Sequence, residues 1–255
     1  MSNFPERRVK FYEEQYWYAK EFLSKHLPSL DYKNKNVLEV GSAEGGAINY
    51  YFEQGANCWG VEISKGRNDF AIKYVNEEKI KFMEGDICDD AFVKELPQMD
   101  LILIRDVIEH IPDKLAALKN LNKLLKTDGI VFLSYPPKYS PYAGHQQNVK
   151  KRIGSLPFIH LLPKGLYKIF LKSADLSEGK ISEFIQTRRD MIAINKIEKL
   201  FIKAELKIKQ KDFFFIRPCF EKRFGWKPKK TIFNNLPIIK EVFTLGALYQ
   251  LGKNN

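Results

Sequence analysis

Cysteine is scarce, at three residues, histidine nearly as scarce, at four, and nowhere do about eighteen apolar residues run together in this 255-residue chain. Each shortage narrows the choices. Cys58, Cys88 and Cys219 are odd in number and widely spaced, with no CxxC, which argues against a disulfide framework or a cysteine zinc site. The absence of a long apolar run argues against a membrane-spanning helix. The opening "MSNFPERRVKFYEEQ" has no apolar core between its charges, so it does not read as a secretory leader. The expected compartment is a reducing cytoplasm. There is no internal repeat or low-complexity tract.

Charge is present in ordinary amount and unevenly placed. Residues 148–255 hold 23 Lys and Arg against nine Asp and Glu, a net of +14, which leaves residues 1–147 at −3. The basic character therefore belongs to the partners of the second half.

Apolar residues Tyr12, Tyr16, Ala19, Leu23 and Leu27 recur at helical spacing and stop at Pro28, which predicts an N-terminal amphipathic helix within residues 1–30. Strand-like runs follow at Val37 to Val40, Cys58 to Ile63, Ile80 to Met83, Leu101 to Ile104 and Ile130 to Ser134, separated by helical patterns. The clearest helix has Asp113 as N-cap, Leu115, Leu118, Leu121 and Leu125 on one face, and Gly129 at its end. Strands apolar on both faces that alternate with helices predict a parallel sheet covered on both sides. The rhythm stops at Tyr135. A helix near Met191 to Ala204 and two strand patterns, "LKIKQKDFFFI" and "TLGALYQLGK", complete the chain.

The loops after successive strands carry "EVGSAEGG", "VEIS", "GDICD" and "RDVIEHIPD". A strand that breaks into a glycine turn and then a helix, with an acid about twenty residues on, is the front of a nucleotide-binding βαβ unit. A dinucleotide dehydrogenase would account for Gly41 and Glu62, but not for Glu39 together with Asp86. Its turn would read GxGxxG, whereas Ser42, Ala43 and Glu44 make this one GxxxGG.

In these four loops, over roughly residues 35–135, the sequence resembles the class I S-adenosylmethionine-dependent methyltransferases. The resemblance implies an α/β, Rossmann-like, seven-stranded, mostly parallel sheet with helices on both faces. It divides the chain into an N-terminal helix (1–30), a cofactor-binding core (35–135), a substrate lid inserted after the fifth strand (136–190), and a C-terminal helix and strands (191–255). It implies S-adenosylmethionine as cofactor, held by Glu39, Gly41, Ser42, Ala43, Gly45, Glu62, Ile63, Asp86, Ile87 and Arg105. Within that set Glu39 lies near the methionine ammonium, Glu62 accepts from the ribose hydroxyls, and Asp86 with the Ile87 backbone reads the adenine edge. Ala43 stands where the family usually has glycine.

The sulfonium arrives with its methyl activated, so the protein needs to align an acceptor, exclude water and take a proton. His110, after the fourth strand, is the expected base. His145 is a second catalytic candidate, in a proline-fixed loop where Tyr139, Tyr142 and Gln146 can also face the acceptor and Gly144 allows an unusual backbone angle. Some ubiquinone-pathway O-methyltransferases have a similar acid-x-x-Glu-His run associated with a divalent metal, which makes Asp106, Glu109 and His110 metal candidates. The same spacing fits a capping box, with Asp106 as N-cap and Glu109 at the third helical position; that is the preferred reading, and no metal is assigned.

Residues 150–172 mix Leu156, Phe158, Leu161, Leu166 and Ile169 with basic residues and contain no acid. The plain expectation is a helical lid over the domain; contact with an anionic membrane, peripheral at its inner face, is compatible with it. The expected acceptor is a small molecule, a lipid-linked compound or a glycan, methylated on oxygen. An RNA methyltransferase and a noncatalytic cofactor-binding partner protein are the rivals. Nucleic acid is not favoured, since "FFFIRPCFEKRFGWKPKK" is the one basic-aromatic patch and Phe213 to Phe215 read more simply as core.

Overall fold

Leu38 and Val40 of the first strand point to one face of the sheet and Val37 to the other, and all three are almost wholly buried. This two-sided burial requires layers on both faces. The computed structural model describes residues 4–28, 31–145, 149, 152–233 and 235–254, and it supplies those layers.

Helix α1 (Glu6–Trp17) continues through a π-helical turn (Tyr18–Leu23) into α2 (Ser24–His26). Next come β1 (Asn36–Val40), α3 (Gly46–Glu53), β2 (Asn57–Glu62), α4 (Lys65–Val75), β3 (Lys81–Glu84), α5 (Asp90–Val93) and β4 (Met99–Arg105). A short 3₁₀ turn (Ile108–His110) leads to α6 (Lys114–Leu124) and β5 (Leu125–Tyr135). The segment after β5 contains α7 (Lys164–Ser173) and α8 (Glu178–Asp190), and the chain closes with α9 (Ile194–Lys203), β6 (Leu206–Ile216), α10 (Cys219–Phe224), β7 (Lys229–Lys230), α11 (Pro237–Phe243) and β8 (Gly246–Lys253).

The sheet order is β3-β2-β1-β4-β5-β8-β6-β7, with β1 to β5 parallel and the last three strands joined antiparallel. The order reverses beside β1, which leaves a crevice at the carboxyl ends of β1 and β4 where ligands of such sheets bind. One face packs against α6 and α9 through Leu118, Leu121, Ile197 and Phe201. The other packs against the π-helical turn and α3 through Ala19, Leu23, Ala47 and Ile48. In the segment after β5, Tyr167, Phe170, Leu171, Ile181 and Phe184 form a separate apolar cluster.

Three expectations need correction. The sheet has eight strands, the additional one being the two-residue β7 at the edge, too short for any alternation to register and lysine-bearing as exposed edges often are. Gly129 lies inside β5 rather than at the end of α6; a Cβ there would come 2.7 Å from Leu125 Cδ1 and 2.9 Å from the Met99 carbonyl of β4, so the strand pairing leaves room only for glycine. Phe213 and Phe214 are core as expected, but Phe215 is 44% exposed. Asp113 does cap α6, accepting from the Ala116 amide at 2.9 Å. Among the described residues no helix is long and apolar enough to cross a membrane.

Candidate functional site

The glycine turn after β1 is fastened from both sides. The Gly41 and Ser42 amides donate to the Val61 carbonyl at 2.7 and 3.1 Å, tying the turn to β2. Gly41 (φ +71°), Ala43 (φ +49°) and Gly45 (φ +82°) all adopt left-handed backbone, so Ala43 occupies a conformation that favours glycine. A Cβ at Gly41 would lie 2.3 Å from the Val107 side chain, so the loop after β4 rests directly on the turn. Helix α1 covers it from outside: Gln15 donates to the Ser42 carbonyl at 3.3 Å and accepts from the Gly46 amide at 3.2 Å.

Glu62, at the end of β2, is 6% exposed and accepts from the Ala43 amide at 3.1 Å and the Ser64 amide at 2.8 Å. Its neighbour Ile63 is 70% exposed beside the crevice. Asp86, exposed after β3, accepts from the Cys88 amide at 2.8 Å, while Ile87 is buried and its carbonyl accepts from Asn120 at 3.0 Å. Glu39 is spent internally: Arg105 donates to one carboxylate oxygen at 3.1 Å and the Ile48 amide to the other at 3.1 Å. Burial pushes the Glu39 carboxyl above its ordinary range, with Arg105 opposing. Arg105 is also stacked over the Tyr18 ring at 4.8 Å. These two residues brace the floor of the turn.

The loop after β4 does not form the expected capping box. Asp106 has a left-handed backbone (φ +54°), and both its oxygens accept from Arg217 at 2.6 Å. Burial works against the Asp106 charge, but Arg217 holds the carboxyl below its ordinary range. With Asp106 so committed, the 3₁₀ turn has no side-chain cap, and Glu109 faces inward. Glu109 is 0% exposed and neither carboxylate oxygen has a hydrogen-bond partner.

Two imidazoles surround it. Glu109 Oε1 lies 4.0 Å from His110 Nε2 and 3.9 Å from His145 Nε2. The two rings stack with centroids 5.2 Å apart. The unusual backbone angle in the loop after β5 falls on His145 (φ +55°) and not on Gly144. His110 Nδ1 lies 3.5 Å from the Thr187 hydroxyl of α8, so the inserted segment reaches the cluster. Burial, reinforced by the Asp106 charge, raises the Glu109 carboxyl well above its ordinary range. Burial lowers His110, and burial with its stacked neighbour lowers His145 to about 4. Both rings are thus biased toward the neutral form.

Tyr142 donates to the Ser155 carbonyl at 3.0 Å and Tyr139 is exposed beside Lys138. Gln146, Lys150 and Lys151 lie outside the described residues. Arg217, Tyr18 and Gln15 carry no sequence signal that ties them to the site; each arrives from an element far along the chain.

A family model described as a methyltransferase domain matches residues 12–166, more than half of the chain. The chain therefore belongs to this methyltransferase domain family, with the fold of the class I S-adenosylmethionine-dependent enzymes and S-adenosylmethionine as its cofactor. A ubiquinone biosynthesis O-methyltransferase of Coxiella burnetii is 27% identical over 150 residues, 57% of this chain and 61% of the relative. One of Actinobacillus pleuropneumoniae is 27% identical over 149 residues, covering 56% and 62%. The match thus spans about three fifths of these relatives' length. Among solved structures, a TehB-like methyltransferase of Corynebacterium glutamicum superposes with a TM-score of 0.54 at 12% identity, covering 98% of this chain and 100% of that one. The plantazolicin methyltransferase BpumL, solved with a pentazolic desmethylPZN analogue and S-adenosylhomocysteine, gives 0.55 at 13% identity, covering 98% and 86%. At these identities the structural likeness speaks to fold alone.

Proposed function

We propose that this protein transfers the methyl group of S-adenosylmethionine to an oxygen of a small-molecule, lipid-linked or glycan acceptor. The observation that carries the reading is the Glu109, His110 and His145 cluster, set beside the glycine turn through Val107. The cofactor fits the cradle of Gly41, Ser42, Ala43 and Gly45, with Glu62 on the ribose, Ile63, Asp86 and Ile87 around the adenine, and Glu39 with Arg105 bracing the floor. S-adenosylmethionine bound there would supply an activated methyl group, and the cluster would take the proton that the acceptor oxygen gives up on methylation. His110, 45% exposed at its side chain, is the member that an acceptor can meet, and His145 lies behind it. The O-methyltransferase names of the relatives support oxygen as the acceptor atom.

Residues 136–190 act as the lid in this reading. Helix α7 leaves Leu166 and Ile169 exposed between Lys164, Lys168 and Lys172, a surface that suits an acceptor with an apolar part or an anionic bilayer. Co-sedimentation with phosphatidylglycerol vesicles tests the bilayer contact; no difference from neutral vesicles would remove it.

The test of the main reading is release of S-adenosylhomocysteine with a panel of phenols, glycans and long-chain lipid alcohols, with RNA as a parallel acceptor. His110→Ala is expected to lower kcat by about 10²- to 10⁴-fold while leaving S-adenosylhomocysteine affinity unchanged. Full turnover in that variant would take His110 out of the reaction, and methyl incorporation into RNA alone would replace the acceptor class.

A further inference from the structure

We propose that helix α1 is a movable wall of the cofactor site, with Gln15 as its positioning residue, and that its docking is coupled to cofactor binding. This role rests on the reading of the glycine turn as the cofactor cradle.

The first turns of α3 and α4 flank that cradle. Among the described residues, neither Gly45 nor Ser64 caps its helix with a side chain, so the leading amides need partners from elsewhere. Helix α1 reaches both helices. Gln15 accepts from the Gly46 amide at 3.2 Å, in the place of the missing cap of α3, and donates to the Ser42 carbonyl at 3.3 Å. Two turns earlier, Arg8 donates to the Gly66 carbonyl of α4 at 2.6 Å. One helix therefore ties the loop after β1 to the loop after β2, across the bond between the Ala43 amide and Glu62.

The attachment is shallow. No residue of α1 is buried, whereas Tyr18, Ala19 and Leu23 of the π-helical turn that follows all are. The contacts that hold α1 are aromatic and polar: Phe4 meets Phe70 edge-on at 5.4 Å, Tyr12 meets Tyr74 at 4.8 Å, and Arg8 lies over Phe70 at 5.4 Å. The remaining ties, from Asn49 to Tyr12, from Tyr16 to Glu53 and from Arg223 to Glu14, lie at the partly exposed rim. An element with few buried contacts opens at a lower free energy than the core beneath it. The change from shallow to buried falls where the α-helical bond register breaks into the π-helical turn, which places the hinge there.

Gly46 separates docking from folding. A Cβ on it would lie 2.1 Å from the Tyr12 carbonyl, so the α1 backbone rests on α3 where only glycine fits. Alanine is otherwise the better residue for the interior of α3, and Gly46→Ala acts against α1 alone. The docked helix fixes the Ser42 and Gly46 backbone in the form that carries the cofactor. Linkage then requires that the cofactor favour docking by the same factor as docking favours the cofactor.

The experiment is hydrogen exchange of the full-length protein with and without S-adenosylhomocysteine, together with calorimetric titration of the same ligand. S-adenosylhomocysteine is expected to slow exchange in residues 6–17 at least about fivefold. Gln15→Leu and Gly46→Ala are each expected to lower its affinity at least about fivefold and to diminish that slowing, while Gln15→Glu, which keeps the acceptor for the Gly46 amide, recovers part of both. Slow exchange of the β5 amides in the same runs reports that each variant is folded. The proposal is overturned if exchange in residues 6–17 is the same with and without the ligand, or if Gln15→Leu and Gly46→Ala both bind it as the wild type does. Glu62→Ala separates the two readings: lost affinity there with none lost in the α1 variants removes the movable wall alone, and wild-type affinity in all three removes the cradle.

Discussion

Arg217, just past β6, donates to both carboxylate oxygens of Asp106, 111 residues earlier in the chain. The pair fastens the antiparallel end of the sheet to the loop that presents Glu109 and His110. Its partners are unequal in exposure, 14% for Arg217 and 38% for Asp106.

Removing the cation strands the carboxylate. A fully buried pair broken on one side costs about 3–5 kcal/mol, and the solvent access of Asp106 reduces this to about 2 kcal/mol for Arg217→Ala. Arg217→Lys should recover part of this, because both contacts come from one guanidinium nitrogen, whose place a single ammonium can take. Urea unfolding measures both; full stability in Arg217→Ala would mean that the pair contributes nothing.

The glycine turn gives two opposite expectations. Ala43 sits at φ +49°, so Ala43→Gly relieves left-handed strain and, after the added freedom of the unfolded chain, should stabilise by about 0.5–1 kcal/mol. Gly41→Ala places a methyl 2.3 Å from Val107 at φ +71° and should cost about 2–4 kcal/mol together with cofactor affinity. Thermal unfolding of both variants checks the signs, and equal effects would contradict the geometry.

Asp212 should contribute to acid sensitivity. Burial works to raise its pKa, but hydrogen bonds from Lys230 and Gln210 and the Lys230 charge hold it below its ordinary value near 3.8. A carboxyl depressed in the folded state contributes stability that is present above the unfolded value and is lost as pH falls through the folded one. Asp212→Asn should therefore lower stability at pH 7 and flatten its decline below about pH 4. Urea midpoints from pH 7 to pH 3 test this; parallel curves for the two proteins would assign the acid response elsewhere.

The parts of this molecule visible in the sequence are those whose signal is local. The five parallel strands, the Asp113 cap and the four acid-bearing loops depend on residues a few positions apart. The β7 strand is too short to have a period. Gly129 reads as a helix end because a glycine after a leucine face usually is one; its close approach to Leu125 and to the Met99 carbonyl across the sheet is visible only in the fold. The capping box failed at Asp106 for a similar reason: the spacing was right, but Arg217 arrives from the far end of the chain and competes for the same carboxylate. His145 was legible as a polar residue in a constrained loop. Its stacking on His110 required the fold.

The central claim is that the turn and its carboxylates hold the methyl donor, and calorimetric titration with S-adenosylhomocysteine tests it most directly. The wild type should bind with micromolar affinity and show no response to NAD. Glu62→Ala should lose at least about tenfold in affinity, since a carboxylate bonded to two ribose hydroxyls contributes about 1.5–3 kcal/mol. His110→Ala should bind as the wild type does. Unchanged affinity in Glu62→Ala, or binding of NAD in place of S-adenosylhomocysteine, would contradict the account.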